Sequence, residues 1–578
     1  MYLFENPVLA TPSWDGVREV FAEVTRSSSI EGYYEPLTLV SLMIDVARGG
    51  QMDNLRPFHE TNLALHVLNT MLIVLLLNAT FRQPWVAAMG GLVFGIHPLT
   101  VEPVAWVWER KTPLAMLFAL LCLLSYVSYA RRRSALLYGV CLATFLLALL
   151  AKPTATPLPA LLLLLDWWPL RRLDRRALLE KIPFFALAAV SAVITIISTR
   201  ENAGLLASEG QSALWTPVRV CYLFFFYLGK ILWPATLSPY YSIPRSMTVS
   251  DPRVLPSVLG MIAFVSVLLA TVRRTRALAM GFAFFFLAIL PTLGLVGYSW
   301  VQASDKYVYF PSVGLLIMGA GLLAGVWGRA PAGRGFADVR VRIGIVVVLL
   351  AASGAALTRG ALSHWQSTAA LYRHMLTVTP GVPWLLNAYG QILFTQGNVK
   401  EAVRWIDRAL YADPDLPEAH QAMGAVLLPQ QQYDEVILHS RQALHLKPAL
   451  VGARVNLAAA LAGQGHIEEA IAEYRRAIHD RPGRLTSHRG LFVLYACLGR
   501  TDDAIAEGRT LLEYWPYHTA SRLELARLLA QRGRVREAVE EYEFLLRREP
   551  GHAEARSELD ALLAGKIPAT QPPHRADG

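Results

Sequence analysis

The chain has 578 residues, of which 54% are hydrophobic and 17% charged. Soluble proteins carry about a quarter charged residues, so this composition excludes a wholly soluble protein and requires much of the chain to face lipid. The formal net charge of +10 does not imply a nucleic-acid partner, because the basic residues cluster beside apolar runs, as they do where a membrane protein marks its cytoplasmic side.

In chain order, residues 1–61 read as a loop region with amphipathic helices. From 62 to 360 the chain carries eleven apolar segments, roughly 63–80, 84–97, 113–130, 135–151, 154–168, 183–199, 217–234, 254–271, 278–296, 309–327 and 343–358. A spanning helix needs about 20 apolar residues, so the second and fifth are expected to tilt or re-enter. Cys122, Cys141 and Cys221 lie in these runs and Cys497 lies beyond them, which implies no disulfide framework.

Lys and Arg in short loops orient such a chain. "RRR" (131–133), "RRLDRR" (171–176), "RRTR" (273–276) and the stretch 329–342 are expected on the cytoplasmic side as plain basic stop signals. Alternation then works if 217–234 makes no net crossing, either re-entering or lying in the interface. The opposite face collects residues 1–61, "HPLTVEPVAWVWERK" (97–111), "AKPTATP" (151–157), "STRENAGLLASEG" (198–210), "LSPYYSIPRS" (237–246) and "GYSWVQASDKYVYFP" (297–311). Ionisable residues at a membrane are costly and usually functional. Arg110, Lys111, Lys152 and Lys306, set among acids and aromatics, suit an anionic group at the membrane surface. A plainer reading is that Trp106 and Trp108 belong to an interfacial belt and that Arg110 and Lys111 snorkel.

Residues 361–565 are polar and periodic. Pro380, Pro414, Pro448, Pro482, Pro516 and Pro550 stand 34 residues apart. Gly397, Gln431, Gly465, Gly499 and Gly533 follow the first five by 17, and Ala402, Val436, Ala470, Ala504 and Ala538 come five later. A 34-residue helix–turn–helix period with small residues at the helix contact is the tetratricopeptide (TPR) signature. Five full repeats cover 381–550, with a half-unit before and a capping helix after. Such arrays stack into a superhelix with a concave face for a protein or peptide ligand. His439, His445, His466, His479 and His488 lack metal-ligand spacing. The tail 566–578 has little to bury and reads as disordered. The fold class is therefore all-α, a polytopic membrane helix bundle followed by a TPR α-solenoid.

Several strings carry a resemblance: "YYEPLTLVS" (33–41), "HETNLALHVLNTMLIVLLL" (59–77), "FGIHPLTVEPVAWVWERK" (94–111), "LLALLAKPTATPLPALLLLLDWWPLRR" (146–172), "YLGKILWPATLSPYY" (227–241) and "SDKYVYFP" (304–311), with the repeats directly after. Together they resemble bacterial TPR proteins with a glycosyltransferase-C-like membrane core, relatives of the transmembrane-and-TPR O-mannosyltransferases. The resemblance implies a multi-pass protein of the bacterial inner membrane with its TPR domain extracytoplasmic. Its donor would be a polyprenyl-phosphate sugar, its acceptor a protein hydroxyl, and no cofactor is certain, with a divalent metal left open. On that basis Glu102 and Asp305 are the catalytic candidates. His97, Arg110, Lys111, Lys152, Lys306, Tyr307 and Tyr241 are the substrate-binding candidates, and Glu109 is assigned as an ion-pair partner of Arg110 or Lys111.

The chain also departs from the family pattern. That pattern places one more helix and an Asp-Asp pair ahead of a Y-x-x-x-N-P string, and this chain opens "MYLFENP", so both are expected upstream of Met1, the alternative being a degraded member of the family. Thr112 stands where an acid often follows "ERK", and Thr100 where a second His is common. Two alternatives remain: a non-catalytic membrane-anchored TPR scaffold, and a transporter of a lipid-linked substrate, which would more often show repeated halves and mid-membrane charges.

Overall fold

The computed structural model describes residues 7–10, 12–22, 34–200, 215–243, 251–293, 301, 303–329 and 339–565. The sequence strings 198–210, 237–246, 297–311 and 329–342 lie partly outside these residues, and the tail 566–578 lies wholly outside. The chain divides into two compact units, Met1–Thr379 and Pro380–Gly578.

Among the described residues the first unit is helical, with one isolated bridge between Tyr241 and Ala303. Each apolar segment coincides with a helix. Among the described residues, five helices are long and apolar enough to cross a membrane: Arg56–Phe81, Val107–Arg132, Arg175–Ser198, Val254–Thr271 and Val341–Ser363. A sixth candidate is the pair Pro84–Gly95 and Pro98–Ala105, bent by 58°. Pro98, which has no N–H to continue the ladder, follows the break, and His97 caps the new turn by accepting from the Leu99 N–H. The segment near 217–234, expected either to re-enter or to lie in the interface, is the unbroken helix Thr216–Leu232, which does not re-enter.

Exposure follows what lipid permits. Helix Val254–Thr271 leaves Leu255, Ile262, Val267 and Leu269 uncovered, as a lipid-facing surface requires. Inside, Ile73, Leu120, Leu123, Phe145, Leu161 and Phe284 form one core. Helices Arg276–Ile289 and Ser312–Arg329 cross at Gly281 and Gly314, where a Cβ on either glycine would meet the other's carbonyl at 2.7 Å, the close approach that small residues allow between membrane helices.

The basic loop 171–176 is more than a stop signal. Arg172, largely covered, pairs with the buried Asp166 and with Glu180, while Lys181 donates to Asp166 at 2.7 Å and Tyr126 donates to the same carboxylate at 2.5 Å. Buried charges persist only when paired, so the "LLDWWPLRR" string encodes a polar lock between three helices.

In the second unit each repeat is a helix pair, beginning with Pro383–Thr395 and Val399–Ala412 and ending with the capping helix Ala553–Leu563. Gly397, Gly465, Gly499 and Gly533 adopt φ between 69° and 86° at the turn between helices. Gln431 takes the equivalent position at φ 60°, a left-handed conformation that a side chain disfavours. Ala402, Val436, Ala470, Ala504 and Ala538 are fully buried at the helix contacts.

Candidate functional site

The string 97–111 folds as a broken path over the end of the membrane helices. Pro98–Thr100 is a 3-10 turn, Val101–Ala105 a short helix, Val107–Arg110 a second 3-10 turn, and Lys111–Arg132 the long helix that follows. In a 3-10 turn successive side chains point about 120° apart, so Glu109, Arg110 and Lys111 leave the backbone in three directions.

Glu109 points into a cavity of about 180 Å³ lined by Glu35, Lys111, Lys152, Lys306 and Tyr307, with Ala192, Ile196 and Pro291 as its apolar side. One Glu109 oxygen accepts from Lys152 at 2.7 Å and from Thr112, and the other lies 3.0 Å from the Lys306 ammonium. Its partners are thus lysines 43 and 197 positions away, not Arg110 or Lys111 as the sequence suggested. Lys306 also sits over the Trp106 ring, 4.4 Å from its centroid, and Lys111 pairs with Glu35 at 3.2 Å. Burial pulls the Lys306 ammonium down, but Glu109 and Glu102 outweigh it and hold its pKa above the ordinary lysine value. For Lys152 burial prevails over Glu109 and the pKa is lowered. Three lysines and two glutamates thus line the cavity.

The other predicted residues lie elsewhere. Arg110 turns the opposite way and is fully buried, bonded to Asp45 at 2.6 Å, to the Phe58 carbonyl at 2.8 Å, to Ser41 at 3.0 Å and to Asn62. Its charge and fork are consumed by this network, so it cannot meet a headgroup as expected. His97 donates to the Ile231 carbonyl at 3.1 Å and serves as a cap.

Glu102 and Asp305 share a separate narrow cleft with Ser238, His364, Trp365 and His374. Glu102 accepts from the Ser304 hydroxyl at 2.7 Å and the Lys306 N–H at 3.0 Å. Asp305 accepts from the Ser238 N–H at 2.5 Å and the Tyr241 hydroxyl at 2.9 Å. Burial, then the Glu102 charge, pushes the Asp305 carboxyl well above the usual carboxylate range. Tyr241 is thereby a support for Asp305 and does not line the lysine cavity. The carboxylates that do line it are Glu109 and Glu35, and sequence reasoning does not single out Glu35 although it sits in the "YYEPLTLVS" string. Its signal is a charge directly before a Pro-led apolar helix. Among the described residues no group of three or more His, Cys, Asp or Glu side chains could hold a metal ion.

Tetratricopeptide-repeat profiles match residues 361–426 and 498–564, and a second profile matches 455–519. Mouse protein O-mannosyl-transferase TMTC2 is 35% identical over 127 residues, covering 22% of this chain and 15% of its own length. Mouse protein O-mannosyl-transferase TMTC1 is 34% identical over 94 residues, covering 16% and 10%. Drosophila melanogaster protein O-mannosyl-transferase Tmtc2 is 31% identical over 136 residues, covering 22% and 14%. The chain thus spans about a seventh or less of the length of these curated relatives. Of solved structures, a thermophilic TPR protein from Thermus thermophilus aligns over 32% of this chain and 100% of its own, at 23% identity and a TM-score of 0.28. The chain carries TPR repeats in its second unit, several membrane-length apolar helices in its first, and a partial likeness to O-mannosyl-transferases.

Proposed function

We propose that the chain is a membrane glycosyltransferase that moves a sugar, with mannose the first candidate, from a polyprenyl-phosphate donor to a protein hydroxyl on the extracytoplasmic face. The observation that supports this most is the lysine cavity: Lys111, Lys152 and Lys306 converge beside an apolar side formed by Ala192, Ile196 and Pro291. A lipid-linked phosphate needs cations at its headgroup and an apolar path for its tail. As the acceptor oxygen bonds to the anomeric carbon, the sugar–phosphate bond breaks and the phosphate keeps the electron pair. Cations already in place stabilise that growing charge.

The acceptor proton must pass to a carboxylate. Glu102 and Asp305, the first candidates, are occupied by donors outside the cavity. Glu35 becomes the preferred base, because Glu109 is held by two lysines and Thr112 whereas Glu35 forms its ion pair with Lys111. The TPR unit is assigned to binding the acceptor polypeptide, with remote contacts holding its hydroxyl near the donor. The bacterial inner membrane remains the proposed location.

The test is binding of a labelled polyprenyl-phosphate mannose to the purified chain in detergent, and transfer to peptide, for the native protein and Glu35→Gln. Bound donor with transfer lost in Glu35→Gln supports the assignment; equal transfer in both refutes Glu35 as the base, and failure to bind donor at all refutes the enzyme. A second reading, a non-catalytic TPR scaffold, is favoured by one observation: Arg110, Glu102 and Asp305 are all saturated by the protein's own groups. It predicts no donor binding.

A further inference from the structure

The second unit repeats a polar joint. Six residues after five of the repeat prolines stands a basic side chain: His420, Arg454, His488, Arg522 or Arg556. Each donates to the carbonyl of that proline, His420 to Pro414 at 2.9 Å, Arg454 to Pro448 at 2.9 Å, His488 to Pro482 at 2.7 Å, Arg522 to Pro516 at 2.5 Å and Arg556 to Pro550 at 3.1 Å. The first four also reach across to the residue 19 positions later, on the second helix of the repeat. In three repeats that residue is a carboxylate, giving the pairs Arg454–Glu473, His488–Glu507 and Arg522–Glu541.

The remaining repeat breaks the pattern. Its second member is His439, and the Nδ1 atoms of His420 and His439 lie 2.9 Å apart. Because His420 Nε2 donates to the Pro414 carbonyl, neutral His420 presents a bare Nδ1, and the Nδ1–H of His439 supplies the hydrogen. One proton added to the pair is still shared between the two Nδ1 atoms once His439 carries its own hydrogen on Nε2, but a second proton leaves two N–H groups facing each other and two cations in contact, so the bond between the helices is lost. In the other repeats the same acidification leaves an ion pair intact.

The surroundings do not neutralise this. Glu435, on the helix of His439, and Asp407, on helix Val399–Ala412, act on His439, but both are exposed and weakened by solvent and salt. Glu418 is taken by Lys447 at 2.9 Å, and Asp434 accepts from Gln464. Arg454, the one charged side chain of helix Val451–Gly463, is held by Glu473 and Asp480.

We infer that the second repeat is an acid-sensitive joint of the solenoid: protonation of the His420–His439 pair releases helix Pro417–Leu427 from helix Tyr433–Leu446 while the other repeats stay closed. Burial and the neighbouring His420 push the His439 pKa below the ordinary histidine value, so its stabilising share is present above that value and lost as pH falls through it. His488 runs the other way. Burial pulls it down, but Glu507 outweighs this and holds its pKa raised, so its share is present at acid pH and lost as pH rises. Acid therefore opens one joint and tightens the other.

The experiment is hydrogen exchange with mass-spectrometric readout on the full chain in detergent, compared as protection factors at about pH 7.5 and about pH 5.5, which bracket histidine titration. The expected result is that protection across residues 417–446 falls at the lower pH while protection across residues 485–514 does not. His439→Glu, which copies the other three repeats, removes that loss. A loss of equal size in both repeats, no loss, or a loss that persists in His439→Glu overturns the joint. Should His439→Glu fail to fold, His439→Gln keeps an N–H donor without a second titrating ring and is read the same way.

Discussion

Two clusters of charge lie within a few residues of each other in the first unit, and they differ in what they face. Around Arg110 the groups Asp45, Asn62, Ser41 and the Phe58 carbonyl close on one guanidinium with no volume left over. Around Glu109 the three lysines border an open cavity beside apolar residues. Both are dense in ionisable groups, so density alone does not separate structure from function. A saturated charge holds helices together, whereas a charge beside open volume is available to a ligand.

The largest expected effect strikes the closed cluster. Arg110→Ala leaves the buried Asp45 with only the half-exposed Arg48 as counter-charge, a loss of at most about 3–5 kcal/mol, and thermal unfolding in detergent should show it. If Arg110→Ala unfolds like the native chain, the distinction between the clusters fails. Next, Lys306→Ala should destabilise the chain less than Arg110→Ala, since Lys152 still holds Glu109 and only Glu102 loses a counter-charge, while donor binding weakens roughly tenfold, about 1.4 kcal/mol. Destabilisation without a binding change would move Lys306 into the structural class.

Asp305 sharpens the same contrast through pH. Its folded pKa is raised, so the folded chain holds a proton that the unfolded chain releases. The associated stability is present below the ordinary aspartate value and is lost as pH rises through the raised one. Asp305→Asn should accordingly stabilise the chain at alkaline pH and not at acid pH, read as the melting temperature across a pH series. An Asp305 that acts as the base would instead show lost transfer with an unaltered melting profile. The smallest effect belongs to the second unit: Gln431→Gly relieves a left-handed side-chain residue at φ 60° and should gain about 1 kcal/mol in chemical denaturation.

Much of the architecture is legible without coordinates. The 34-residue spacing of Pro380 to Pro550 locates each helix pair, because the turn glycines and contact alanines act within one repeat. The apolar runs likewise announce their helices. The site is legible only in part. Lys111, Lys152, Lys306 and Tyr307 line one cavity, and the loops that carry them are ones the sequence groups together. Arg110 misleads because its neighbour Lys111 does reach the cavity, and the 3-10 turn that separates them leaves no mark in composition. Re-entry, one of two readings of 217–234, gives way to a continuous helix, whereas the sharp bend falls at His97–Pro98, where proline breaks the helix.

Length of apolar run, repeat period and the small residues at helix contacts are local properties, so the sequence by itself determined the all-α class, the helices and the TPR array. Which carboxylate faces the cavity is not local. Glu102 is sealed by Ser304, 202 residues away, Arg110 by Asp45, 65 residues away, and Glu109 opens toward Lys152, 43 residues away. Those partners are chosen by how helices cross and where Gly281 and Gly314 let them approach, and a side chain's charge says nothing of that. Only the tertiary structure therefore decided which ionisable groups are sealed in the protein and which stand beside open volume.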